Sequence, residues 1–105
     1  MITIRRTDTE ISVVGHANDE IHPKSDETTQ ACAAITALTQ SLLYGVWELG
    51  QDCPEYVVEK GNFRMDTEHL SDKSKLLIDA FFIGVSAVAE AYGEYIEIND
   101  QAFKS

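Results

Sequence analysis

Between Thr28 and Gly50 the apolar residues Ala31, Ile35, Leu38, Leu42, Val46 and Leu49 recur at spacings of three and four. That period puts them on one stripe of a long helix, and a helix with such a stripe must bury it against another element. Thr28 or Thr29 is the expected N-cap, with Asp26 and Glu27 just ahead to complement the helix dipole, and Gly50 is the expected stop. A second helix is predicted from Ser71, its cap, to Gly93. Its expected core side is Leu76, Leu77, Ala80, Phe81, Gly84, Ala87, Val88 and Ala91, and the small Gly84, Ala87 and Ala91 invite close approach of another backbone.

The stretches around these helices alternate instead. Ile2 and Ile4 oppose Thr3 and Arg5; over 10–16, Ile11 and Val13 take one face and Val14 and His16 the other. Two short strands near 55–60 and 62–66 meet at Gly61-Asn62, and a last strand over 94–98 precedes a polar tail expected to fray. The order β-β-α-β-β-α-β implies an α+β two-layer sandwich, two helices packed on a mixed, mostly antiparallel sheet. The other sheet face must stay polar or be covered, as a dimer would cover it. With no repeat or linker, residues 1–105 form a single domain.

A net charge of −10 argues against nucleic acid as a partner, since phosphate neutralisation needs clustered Lys and Arg. It favours partners that are basic near the acidic segments. No run approaches the roughly 18 apolar residues of a membrane helix, so no membrane partner is expected. The N-terminus alternates like a strand instead of carrying a signal peptide's apolar run, so a cytoplasmic chain is expected. In that compartment Cys32 and Cys53 are free thiols rather than a disulfide.

Cys32 lies near the start of the first helix; if Thr29 caps, it is the third helical residue, where the dipole favours a thiolate. His16 ends the preceding strand and provides a base or a second stabilising charge, the skeleton of a cysteine nucleophile with a histidine partner. The plain alternatives are a small buried cysteine and a strand-end histidine bonded to a carbonyl. Residues 17–28, which lack periodicity, form either a substrate-binding lid or a simple connector. His22 on that loop competes with His16, and Asp26 is a candidate third member. Thr36, one turn beyond Cys32, either orients substrate or bonds back to its own helix. Loop acids Asp19, Glu20, Asp26 and Glu27 are candidates to meet a basic peptide. Cys53, before Pro54, reads as structural and His69 as solvated. His16, His22 and Cys32 fit no compact zinc spacing, so neither a metal nor a cofactor is expected.

Gly15-His16-Ala17 followed by Cys32-Ala33-Ala34-Ile35-Thr36-Ala37-Leu38 resembles the Prp family of ribosomal-processing cysteine proteases. That family's pattern is Gly-His-Ala, a flexible loop, then Cys-Ala-(Ala/Gly)-hydrophobic-Ser-Ala-Leu opening a helix. The order of elements and the length match along nearly the whole chain. The resemblance implies a small cytoplasmic endopeptidase, usually a homodimer, that removes an N-terminal leader peptide from a large-subunit ribosomal protein or a phage structural protein. It makes Cys32 the nucleophile, His16 the catalytic histidine and Thr36 the counterpart of the helix serine. Thr36, Asp26 and Glu27 are then the expected substrate contacts, and backbone N–H groups at the helix start the expected oxyanion donors. The chain departs from the pattern at Thr29, where the family carries Asp. Its loop is also longer, and the aromatic after Gly-His-Ala is absent. A divergent, prophage-encoded member serving capsid maturation fits these departures, and so does a catalytically inactive Prp-like peptide-binding module.

Overall fold

The structure, a computed structural model, describes residues 1–101. Its elements are β1 (Ile2–Arg6), β2 (Glu10–Gly15), α1 (Asp26–Glu48), β3 (Tyr56–Glu59), β4 (Asn62–Asp66), α2 (Asp72–Tyr92) and β5 (Ile96–Asp100). The fold is the expected α+β sandwich, two helices on a mixed sheet ordered β3-β4-β2-β1-β5. Every pairing is antiparallel except β1 with β5, which is parallel because α2 carries the chain back across the sheet.

The register explains which residues are buried. Ile4 pairs with Val13 and Val13 with Phe63, while Ile11 pairs with Met65. Paired residues point the same way, so Ile2, Ile4, Ile11, Phe63, Met65 and Ile96 form one apolar layer beneath the helices. The opposite face carries exposed Arg5, Arg64 and Glu97, with the apolar Val14 and exposed Val57 among them.

Two glycines let the helices mesh. A Cβ at Gly84 would meet Leu38 Cδ2 at 3.2 Å, and one at Gly45 would meet Leu77 Cδ1 at 3.3 Å. Residue 38 therefore lies over 84 and residue 45 over 77, which makes the helices antiparallel, each inserting one leucine over the other's glycine. Ala87 and Ala91, expected beside Gly84, are instead exposed. The buried side of α2 is Ser74, Ile78, Phe81, Phe82 and Val85, whereas Leu76 is 70% exposed and Ala80 also faces out. Helix α2 is apolar on more than one side, so the period alone does not choose a face; Phe81, Leu77 and Val88 of the expected face do pack on the core.

Three boundaries differ from the sequence reading. Helix α1 begins at Asp26, capped by Ser25 rather than by Thr28 or Thr29. Ser25 Oγ accepts from Thr28 N at 3.2 Å, and Thr28 Oγ1 accepts from Ser25 N at 2.8 Å. Thr28 thus fills the role Glu or Gln has in a capping box, and it is buried. The loop is correspondingly shorter than 17–28. Strand β5 runs to Asp100, so Asn99 and Asp100, expected in a frayed tail, belong to the sheet, and Gln101 N donates to Arg6 O at 2.9 Å. The rest of that tail lies outside the described residues.

Ser71 caps α2 as expected, assisted by Asp52. The Asp52 carboxylate accepts from Ser74 Oγ, from Ser71 N at 3.0 Å and from Ser71 Oγ at 2.8 Å. These bonds, that from Ser74 first, hold Asp52 below the usual carboxylate range. Among the described residues, no helix is long and apolar enough to cross a membrane.

Candidate active site

Strand β2 ends in a glycine because nothing larger fits. Gly15 has φ of +103°, and a Cβ there would lie 2.3 Å from Met1 O. The next residue, His16, is held by its backbone: the Met1 amino nitrogen donates to His16 O at 2.6 Å and to Asp19 Oδ2 at 2.9 Å. Its ring rests on the β3–β4 turn. Gly61, at φ +71°, is the second residue of that turn, and a Cβ there would fall 2.6 Å from His16 Nε2. Two left-handed glycines thus fix the strand end and the surface that supports the imidazole.

His16 and Cys32 line one cavity of about 530 Å³ between α1 and the β3–β4 hairpin. Ala17 N donates to Cys32 Sγ at 3.3 Å, which ties the residue after the histidine to the thiol. Cys32 is half-buried and His16 exposed at the rim. Because Asp26 is the first helical residue, Cys32 is the seventh, one turn further in than expected. The dipole's effect fades within the first turn, and the Cys32 backbone N–H is internal to the helix. The expected donors at the helix start are therefore not at the thiol; the N–H that reaches it belongs to Ala17.

Thr36 lines the same cavity, one turn along from Cys32. The helix back-bond belongs instead to buried Thr39, whose Oγ1 donates to Ile35 O at 2.7 Å. Asp26 and Glu27 sit in the first turn of α1 and do not line the cavity. Glu27 Oε2 accepts from Tyr95 OH at 3.1 Å.

His22 is also elsewhere. Its Nδ1 lies 3.2 Å from Asp19 Oδ1, and its ring packs edge-on against Tyr95 with centroids 5.0 Å apart. Asp19 organises this loop through the Met1 amino group and the N–H groups of Ile21 and His22. Those bonds, the Met1 contact first, hold its carboxyl well below the usual range. Cys32 and Cys53 are both free, with Cys53 exposed, and among the described residues no three His, Cys, Asp or Glu side chains are placed to hold a metal.

The sequence reading missed the aromatic end of the cavity. Tyr44 and Trp47 meet at 5.5 Å between centroids, and Trp47 meets Tyr56 at 5.3 Å, both edge-on. The signal is a second stripe on α1, Cys32, Thr36, Gln40, Tyr44 and Trp47, parallel to the core stripe and all facing the cavity. Half-buried Asn62, also on the wall, carries a buried Oδ1 with no hydrogen-bond partner among the described residues. It follows directly after Gly61.

The structure thus combines a two-layer α+β fold with a largely apolar, aromatic-ended groove lined also by a thiol and an imidazole. The chain belongs to the cysteine protease Prp family, whose model matches residues 1–97. Its fold is similar to that of an essential ribosomal processing protease Prp from S. aureus in complex with a covalently linked product peptide. That match has a TM-score of 0.77 and 21% identity, covering 96% of this chain and 100% of the other. The same S. aureus protease in complex with a substrate peptide matches with a TM-score of 0.74 at 17% identity, covering 95% and 97%. SMU.848 from Streptococcus mutans matches with a TM-score of 0.73 at 21% identity, covering 94% and 90%. No curated protein matches the chain.

Proposed function

We propose that the chain is a Cys–His endopeptidase that removes an N-terminal leader from a large-subunit ribosomal protein or from a phage structural protein. The observation that carries this is the shared cavity wall of His16 and Cys32, joined by the Ala17 N–H bond to Sγ, in a member of the Prp family. The S. aureus relatives, described as ribosomal processing proteases holding substrate or product peptides, support a peptide substrate.

The leader lies in the groove between α1 and the β3–β4 hairpin, with a bulky apolar side chain against Tyr44, Trp47 and Tyr56. Cys32 thiolate attacks the scissile carbonyl carbon, and Ala17 N–H is the donor nearest the developing oxyanion. His16 gives its proton to the leaving amine as the C–N bond breaks, leaving a thioester on Cys32. Water, deprotonated by His16, then hydrolyses the thioester and regenerates the thiolate. Thr36 orients the peptide from one helical turn away. Asp26 and Glu27 lie outside the groove and meet basic residues of the leader where it passes the helix start.

Synthetic leader peptides incubated with the protein and read by mass spectrometry test this. A single cut with both product peptides recovered is the expected result. Leader that binds and is recovered intact would instead leave the inactive binding module as the function.

Gly61→Ala gives a second test, aimed at the imidazole. The added methyl strains a left-handed residue by about 1–2 kcal/mol and pushes the His16 ring off its support. Cleavage falls by about tenfold to a hundredfold, while haloacetamide still labels Cys32. Full-rate cleavage by this variant would mean that the Gly61 surface does not position His16 for the reaction.

A further inference from the structure

The loop that carries His16 and Ala17 toward α1 buries almost nothing apolar. Of residues 18–25 all but His22 are exposed, and the one large aliphatic side chain, Ile21, is 82% so. A segment without apolar contacts is held by polar bonds or opens readily. Here those bonds converge on one carboxylate. Asp19 Oδ1 accepts from Ile21 N at 2.9 Å and from His22 N at 2.7 Å, and Asp19 N donates to His22 O at 2.7 Å, so residues 19–22 close on themselves. Asp19 Oδ2 accepts from the Met1 amino nitrogen at 2.9 Å, and the same nitrogen donates to His16 O at 2.6 Å. One ammonium thus bridges residues 16 and 19, with Ala17 and Asn18 between them. Met1 is itself fixed from behind: Ile2 pairs with Gly15 on one side and with Ile96 on the other, and Ile2 N donates to Tyr95 O at 2.8 Å. Within the bridged segment Ala17 is fully buried, and its N–H reaches Cys32 Sγ at 3.3 Å.

We infer that Asp19 is a positioning residue: through the Met1 amino group its carboxylate ties residues 16–18 to β1, so that the His16 imidazole and the Ala17 N–H are presented to Cys32 together. The catalytic consequence rests on the endopeptidase function proposed above; the clamp itself does not. Asp19 is thereby separated from the other loop acids expected to meet a basic peptide, because both of its oxygens are engaged within the protein. The ion pair is partly exposed and adds little to global stability. Its effect is on geometry, where a displacement of about 1 Å can cost about 10²-fold in rate.

Asp19→Asn isolates the clamp. The amide oxygen still accepts from Ile21 N and His22 N, while the amide NH₂ now faces the ammonium, donor against donor. Wild type and variant, both prepared without an N-terminal tag, are compared on a synthetic leader peptide and by amide hydrogen exchange. The expected result is a kcat lower by about tenfold to a hundredfold with KM within about twofold. Ala17 N–H exchanges at least about tenfold faster, while Ile4 N–H in β1 keeps its wild-type rate. A merely structural role would speed both amides. An unchanged kcat, or Ala17 protection equal to that of the wild type, overturns the inference. So does a rise in KM at constant kcat, which would make Asp19 a substrate contact. If the wild type cuts no leader, the endopeptidase function falls, and Ala17 exchange by itself decides whether Asp19 holds the segment.

Discussion

Replacing Cys32 with serine is expected to lower the cleavage rate by at least about 10³-fold while leaving the fold in place. Serine keeps the volume within one atom and can still accept from Ala17 N–H, now placed 3.3 Å from Sγ. The cost in stability should stay below about 1 kcal/mol. An unactivated hydroxyl is a far weaker nucleophile than a thiolate, so the loss falls on chemistry. Cys32→Ala is a less clean comparison, because it leaves the Ala17 donor without its acceptor. The measurement pairs product formation with thermal unfolding. A Cys32→Ser protein that cuts at the wild-type rate would remove the thiol from the mechanism.

The second large effect concerns stability. Arg6 ends β1 with its guanidinium buried. Its Nε and Nη2 reach the Asp100 carboxylate at 2.9 and 2.7 Å, and its Nη1 reaches Asp79 at 2.8 Å. The Arg6 guanidinium carbon also sits 4.3 Å from the centroid of the Phe82 ring. One side chain thus joins β1 to β5 and to α2. Arg6→Met keeps the apolar contact with Phe82 but removes the cation from between two carboxylates. Breaking a buried pair from one side costs about 3–5 kcal/mol. Asp79 is half-exposed and rehydrates, so the loss here is about 2–4 kcal/mol. For a domain of this size that is a melting-temperature drop of about 10–20 °C. Asp79→Asn, which disturbs only the exposed arm, should cost less than about 1 kcal/mol. If the two variants melt together, the paired contact with Asp100 carries no special weight.

Arg6 also marks where sequence reading stops. Alternation places residue 6 on the same face as Ile2 and Ile4, a poor position for an arginine until its partners are known. Those partners, Asp79 and Asp100, are 73 and 94 residues away. The start of α1 was misplaced for a nearer reason. Thr28 looked like a cap because threonine usually is one, yet here it is the inner half of a box whose outer half is Ser25. That shift moved Cys32 out of the first turn and transferred the nearest donor to Ala17, a residue of the preceding loop.

What the sequence determined by itself is local and periodic. Seven elements, their order and the α+β class follow from alternation, from three-and-four spacing and from the glycine and serine stops. The Gly-His-Ala and Cys-Ala-Ala segments carry the family resemblance in the same direct way. The tertiary structure decided what depends on distance and competition. It kept Phe81, Leu77 and Val88 of the expected α2 face against the core, added Ile78, Phe82 and Val85, and turned Leu76, Ala80, Ala87 and Ala91 outward. It placed His16 beside Gly61 and on the same cavity wall as Cys32, and held His22 away against Tyr95 and Asp19. It also assembled Tyr44, Trp47 and Tyr56 from a helix and an edge strand into one end of a groove. Periodicity fixes which way a side chain leaves its own element, but only packing fixes what it meets.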